Sequence, residues 1–230
     1  MSKILPALLV VIGLGLVGAT TPSRAGGWAV VTVDDWPTDV VANRPFTISF
    51  SLRQHGQHLM NGQIGNVEFD DEQKSNATPL QFDVLPAAAQ GHYTATITLP
   101  SAGAWRWRIV VFGKHTMPSL TVHATPVPPD LAGEMRPVTL GRTLFVAKGC
   151  SRCHVHPAVP GSRSIGVIGP VAAVAQTAPP LPNRALTAEF LRQWLSDPKA
   201  VKPTTLMPTL DLKQNEVEAL TAFLLNAEQE

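Results

Sequence analysis

The hydrophobic period of this chain changes once, at a proline-rich stretch, and that change limits the fold more than any other feature. Over residues 28–124, apolar and polar residues alternate in short runs separated by turn signals, the mark of half-buried strands. Phe46, Ile48, Phe50 and Leu52 share one strand face, and Tyr93, Ala95, Ile97 and Leu99 share another. Trp105, Trp107, Ile109 and Val111 face one way while Arg106 and Arg108 face the other. With further runs at 28–33, 67–69, 80–85 and 120–123, seven short strands are predicted, enough for a β-sandwich. Residues 124–138 carry Pro126, Pro128, Pro129 and Pro137, which favour extended backbone and read as an interdomain linker. Beyond them the period becomes helical, at 140–148, at 187–196 behind a Thr187 cap, and at 215–226. In the second of these, Phe190, Leu191, Trp194 and Leu195 are expected on one face.

Composition fits two globular bodies. Hydrophobic residues are 44% and charged residues 15%, which excludes a disordered chain. A net charge of +1 offers no field for nucleic acid. At the start, Lys3 precedes an almost unbroken apolar run over residues 4–19, and Ser23-Arg24-Ala25 resembles a small-residue cleavage site. The run is shorter than the roughly 20 residues of a comfortable membrane span. Residues 1–25 are therefore read either as a cleaved export signal or as a retained membrane anchor. Both place the remainder outside the cytoplasm. The domains expected are 26–124 for the sandwich, 125–138 for the linker and 139–230 for the helical domain.

The chain has two cysteines, in Cys150-Ser151-Arg152-Cys153-His154. A disulfide between residues this close would close a tiny loop and restrain little. A zinc site would need two further soft ligands, and a thioredoxin-type dithiol would follow a strand rather than a short helix. The spacing C-x-x-C-H instead suits haem attachment. Two thiols two residues apart reach the vinyl groups on one edge of a porphyrin. The next side chain, His154, then lies beneath the iron as an axial ligand. The expected cofactor is one covalently attached haem c.

Around that motif, residues 138–228 resemble the class I, mono-haem cytochrome c domain. Gly141 and Phe145 match the family's first helix, and Leu220 and Phe223 match the last, where the two cross at close range. The resemblance implies Met207, within Lys202-Pro-Thr-Thr-Leu-Met-Pro, as the second axial ligand; the bland reading is a core methionine. It also implies a loop proline carbonyl accepting the His154 imidazole N–H, for which Pro180 is preferred over the Gly169-Pro170 pair. Arg184 and Trp194 are candidates for contact with the haem propionates. Lys148, Arg152, Lys199 and Lys202 are read as a basic rim for an acidic redox partner, against a background of scattered solvating charge.

The segment from Gly91-His-Tyr-Thr to Trp105-Arg-Trp resembles the YtkA-like and FixH-like immunoglobulin-type domains of exported bacterial proteins. His55, His58, Met60, His115, Met117 and His123 are ligand types suited to copper, and equally ordinary for polar loops. The fold expected is thus an all-β immunoglobulin-like sandwich followed by an all-α cytochrome c domain. The function expected is electron transfer by an exported carrier, not an enzyme, serving as subunit or donor of a respiratory complex such as a terminal oxidase. Two alternatives stand beside it: a copper-handling assembly factor with a haem domain, and a haem enzyme or ligand sensor.

Overall fold

The computed structural model describes residues 28–74, 77–127, 135–160, 178, 181 and 186–226. Residues 1–25, read as signal or anchor, lie outside the described residues. The first half forms ten strands: β1 (Ala29–Val33), β2 (Phe46–Gln54), β3 (His58–Leu59), β4 (Gly65–Asp71), β5 (Leu80–Asp83), β6 (Leu85–Pro86), β7 (His92–Ile97), β8 (Gly103–Val111), β9 (Lys114–Thr116) and β10 (Leu120–Val122). They make two antiparallel sheets, ordered β1-β2-β7-β6 with β3 on β2, and β10-β8-β4-β5 with β9 on β8. Seven strands were expected. The additional ones are the two- and three-residue strands β3, β6 and β9. The run 80–85 divides at buried Val84, so β5 joins one sheet and β6 the other. Period two alone does not register such a crossover.

The alternation read from sequence fills the space between the sheets. Ile48, Phe50, Leu52, Tyr93, Ala95, Ile97, Leu99, Trp105, Trp107, Ile109 and Val111 are all buried in one cluster. Trp107 stacks on Phe69 at 5.5 Å, and Phe50 on Tyr93 at 5.6 Å. The polar tips of Trp107, Trp105 and Tyr93 are satisfied, since a buried donor without an acceptor would cost more than its bond returns. Trp107 Nε1 donates to the Pro118 carbonyl at 2.7 Å, Trp105 Nε1 to Ser101 at 3.1 Å, and Tyr93 Oη to Met60 at 2.6 Å.

The second half is helical: α1 (Pro137–Ala147), α2 (Ala188–Ser196), α3 (Pro198–Val201) and α4 (Gln214–Asn226). α1 begins earlier than expected because Pro137 sits at its start, where its missing N–H costs nothing. Thr187 caps α2 through its hydroxyl, which accepts from Phe190 N at 3.2 Å. On α2, Leu191 and Leu195 are buried as expected, but Phe190 is 38% exposed and stacks on the half-buried Trp194 ring at 5.7 Å. The predicted stripe is thus narrower, because only two of its residues reach the core. After Asp197 the chain makes the short α3, which sequence periodicity did not separate from the following loop.

α1 crosses α4 at Gly141. A Cβ at that glycine would lie 2.0 Å from the Ala219 carbonyl oxygen and 2.6 Å from Phe223 Cβ. Phe145 and Phe223 meet beside this crossing at 5.7 Å, over fully buried Leu220. Gly141→Ala is therefore expected to force α1 off α4 and cost on the order of 2–3 kcal/mol. Thermal unfolding of the haem-loaded protein measures this, and an unchanged midpoint would refute the close packing.

Candidate functional site

The attachment motif is presented by one tight turn. α1 ends at Ala147, and Gly149 turns the chain with a left-handed φ of 79°. Residues Cys150–Arg152 then form a 3₁₀ turn. Cys153 N and His154 N both donate to the Cys150 carbonyl, at 3.1 and 2.8 Å, so the two thiols and the imidazole leave the same turn. Both cysteines are free and half-buried. Burial, and then the neighbouring Cys153, pushes the Cys150 thiol up to about 12. Burial alone pushes Cys153 up to about 11. Such thiols are neutral at physiological pH, which does not suit an activated redox dithiol. Among the described residues, no three His, Cys, Asp or Glu side chains gather as a metal cluster. Two free thiols, two residues apart and followed at once by an imidazole, are the donor set a haem of the c type requires.

The sandwich forms a wall of this turn. Every residue of β1 is buried, although alternation would leave one face wet. Ala29, Val31 and Val33 point into the sandwich core. Val30 and Thr32 lie on the other face, beside their register partners Arg53 and Ser51, which are also buried. Thr32 Oγ1 donates to the Lys148 carbonyl at 3.4 Å. At Gly149 a Cβ would stand 2.4 Å from Val30 Cγ1 and 2.7 Å from the Val31 carbonyl oxygen, so only glycine fits. The β2–β3 turn reaches the second cysteine, because a Cβ on Gly56 would lie 3.9 Å from Cys153 Sγ.

Two of the four cations read as an exposed rim are spent inside this junction. Lys148 is 2% exposed; its ammonium pairs with Glu216 at 2.7 Å and donates to the Asp34 carbonyl at 2.6 Å. Arg152, half-buried, donates to the Lys114 carbonyl at 2.9 Å and to His115 Nδ1 at 3.1 Å. Packing of the sandwich on the motif buries the first and ties down the second. Lys199 and Lys202 remain exposed. A further pair, Lys213 with Asp35, bridges the halves at the surface.

The expected second ligand lies on the same helical core. Met207 and Cys150 both pack against the α1–α4 cluster. Trp194 Nε1 donates to Met207 Sδ at 2.9 Å, and Met207 N donates to Thr205 Oγ1 at 3.2 Å. Trp194 was expected near the propionates; in the structure its indole N–H is turned to the sulfur. Pro180 and Arg184 lie outside the described residues. Between them, Leu181 N donates to the Val155 carbonyl at 2.9 Å, which ties that loop to the residue after His154. His156 is in the core, its ring 4.3 Å from Phe223 and 5.4 Å from Phe145. Burial, then the charge of Arg142, holds its pKa down.

The residues considered for copper are dispersed. His115 and Met117 are buried in the sandwich, His58 is exposed on β3, and His55 packs beside Trp28 at 6.0 Å. His115 has another use. Its Nε2 donates to the Val111 carbonyl at 3.2 Å, leaving Nδ1 to accept from Arg152. Sequence reading missed Gly56, His115 as a partner of the motif, and Glu216, because none carries a local signal.

Removing one partner of the Lys148–Glu216 pair strands a buried charge. Glu216→Gln or Lys148→Met is expected to cost about 3–5 kcal/mol, whereas the double variant recovers much of it. Chemical unfolding of the three variants measures this, and additive losses would contradict it. Burial, then Arg152, pushes His115 down to about 4. The unfolded imidazole, near 6.5, takes a proton first as pH falls. Stability is thus fully present above about 6.5 and declines toward about 4, by roughly 3 kcal/mol. Urea unfolding against pH is expected to show this acid limb in the parent and to show it flattened in His115→Gln.

No helix among the described residues is long and apolar enough to cross a membrane. No curated protein matches the chain. Among solved structures, the Lin-41 filamin domain is 12% identical, with a TM-score of 0.34, over 41% of this chain and 93% of that one. The superoxide reductase (neelaredoxin) from Ignicoccus hospitalis is 18% identical, with a TM-score of 0.29, over 41% and 80%. Domains 4 and 5 of the S-layer protein SbsC are 18% identical, with a TM-score of 0.28, over 43% and 54%. At such scores these likenesses carry no argument. Residues 138–228 match the family model for cytochrome c. The helical half that bears the attachment turn accordingly matches a cytochrome c domain, which implies covalently attached haem c and supports a role in haem electron transfer.

Proposed function

We propose that the chain is an exported electron carrier with one haem, held by thioethers at Cys150 and Cys153 and by His154 and Met207 as axial ligands. The observation that carries this reading is the single 3₁₀ turn bearing two free thiols and an imidazole, inside the matched region. The haem, when bound, supplies one-electron iron chemistry. The chain's own residues hold and orient it. Gly149 and β1 fix the turn, while Pro203, Pro208 and the Thr205 contact restrain the loop carrying the weak thioether ligand. Were His154 and Met207 both to hold the iron, they would leave no position for substrate and would favour the reduced state. That combination suits a carrier rather than a catalyst. Its partners are redox proteins of a membrane respiratory chain, with a terminal oxidase as the acceptor proposed. The sandwich, of the YtkA-like and FixH-like kind in its Tyr and Trp strands, serves as a fixed part of the haem site. Export follows from the chemistry of attachment and from the basic-then-apolar start of the chain.

The test is maturation in a host competent to attach haem. The parent is expected to weigh one haem more than its polypeptide and to give a low-spin spectrum with a sulfur-to-iron band in the far red. A mass equal to the polypeptide would overturn the reading. Met207→Ala is expected to keep the haem but lose that band, whereas a high-spin, carbon-monoxide-binding parent would point to an enzyme or sensor. Trp194→Phe removes a donor to the ligand sulfur. It should leave the band in place and lower the reduction potential, because the N–H withdraws electron density from sulfur. An unchanged potential would count against that contact.

A further inference from the structure

Three large apolar side chains lie exposed around one end of the sandwich. Ile64 is 92% exposed, Leu85 63% and Phe112 42%. β4 pairs with β5 at Asn66↔Asp83 and with β8 at Gly65↔Val111. Val84 N donates to the Gly65 carbonyl at 3.1 Å and Val111 pairs with Gly65 on its other side, so Leu85, where the chain passes to the other sheet, and Phe112, at the hairpin tip, each follow a residue that flanks Gly65, the neighbour of Ile64 in the chain. Scattered exposed apolar residues need no explanation, but three adjacent ones do. Phe112 adds a second observation. Its φ is 49°, in the left-handed region where a bulky residue is an outlier. Turn chemistry at such a position favours Gly, Asn or Asp. An aromatic kept there at a conformational cost, and left in water, points to something that covers it.

The chain itself indicates what that is. Trp28, just before β1, belongs to the same end: its carbonyl accepts from His55 N at 2.9 Å where β2 finishes, Gly56 lies between Trp28 and Cys153, and Arg152 beside that cysteine reaches the Lys114 carbonyl in the Phe112 hairpin. β3 then leads directly toward Ile64. Only residues 20–27 separate Trp28 from the apolar run 4–19, a distance of at most about 28 Å when extended. Lys114, exposed beside Phe112, has the amphipathic form that suits a headgroup layer.

We propose that this end of the sandwich rests on a lipid bilayer, with Leu85, Ile64 and Phe112 dipping into the interfacial layer. This rests on the reading of residues 1–25 as a retained anchor. Three side chains alone bind a membrane weakly and reversibly, and a second signal beside the apolar run makes the attachment stable and oriented. Arg152 touches the Lys114 carbonyl, so the haem motif is held next to the docked hairpin.

The full-length haem-loaded protein offers a direct test. Its native cysteines are consumed by thioethers, so Ile64→Cys introduces the only reactive thiol for a small fluorophore. Gln73→Cys, on the far end of the same sheet, is the control. In vesicles of phosphatidylcholine and phosphatidylglycerol containing brominated lipid, quenching is expected to be severalfold stronger at position 64 than at 73. A protein that floats with vesicles but is quenched equally and weakly at both positions overturns the docking and leaves the anchor standing. A protein that does not float overturns both. A photo-crosslinker at position 64 that captures a protein rather than lipid also overturns it. Phe112→Asn, in the Ile64→Cys background, suits the left-handed backbone and should fold at least as stably while lowering the quenching. Unchanged quenching would remove Phe112 from the surface.

Discussion

A lysine ammonium with almost no access to water joins three parts of this molecule. Lys148 stands between the end of α1 and the attachment turn, and it takes Glu216 at the start of α4 and the Asp34 carbonyl just after β1. A buried charge is tolerable only when its partners are fixed, so the pair demands one relative position of two helices and a sheet. Gly149 makes the same demand sterically, since its missing side chain leaves the room that β1 fills. The turn that carries both cysteines therefore has its conformation set from two sides.

This changes what the β-sandwich is for. A domain joined by a proline-rich stretch is expected to move independently of its neighbour. Here its edge strand is closed over by the helical half, Trp36 packs against both cores, and Ala147 belongs to the sandwich cluster. Arg152, inside the attachment motif, is held by a backbone carbonyl and an imidazole of the sandwich. The electrostatic surroundings of the haem are thus supplied by both halves.

Much of this was legible in the sequence wherever the cause is local. C-x-x-C-H is five adjacent residues, and the strand faces of β2, β7 and β8 follow from period two. Gly141, Phe145, Leu220 and Phe223 were identified by the resemblance to the class I cytochrome c domain, and they do meet. What was not legible depends on residues far apart in the chain. Lys148 and Arg152 look like solvated cations until the sandwich arrives, and β1 looks half-buried until its outer face is covered. The split of 80–85 between sheets and the outward turn of Phe190 are decided by tertiary packing, which periodicity does not encode.

The double burial of β1 has a consequence for how such a chain can be taken apart. Its two halves resemble interchangeable modules, a generic sandwich and a generic haem carrier joined by a replaceable connector. Severed at the connector, the first would show water a valine and a threonine beside a desolvated arginine, and the second an ion pair with one wall missing. The unit that can be exchanged between proteins is the pair, not either member.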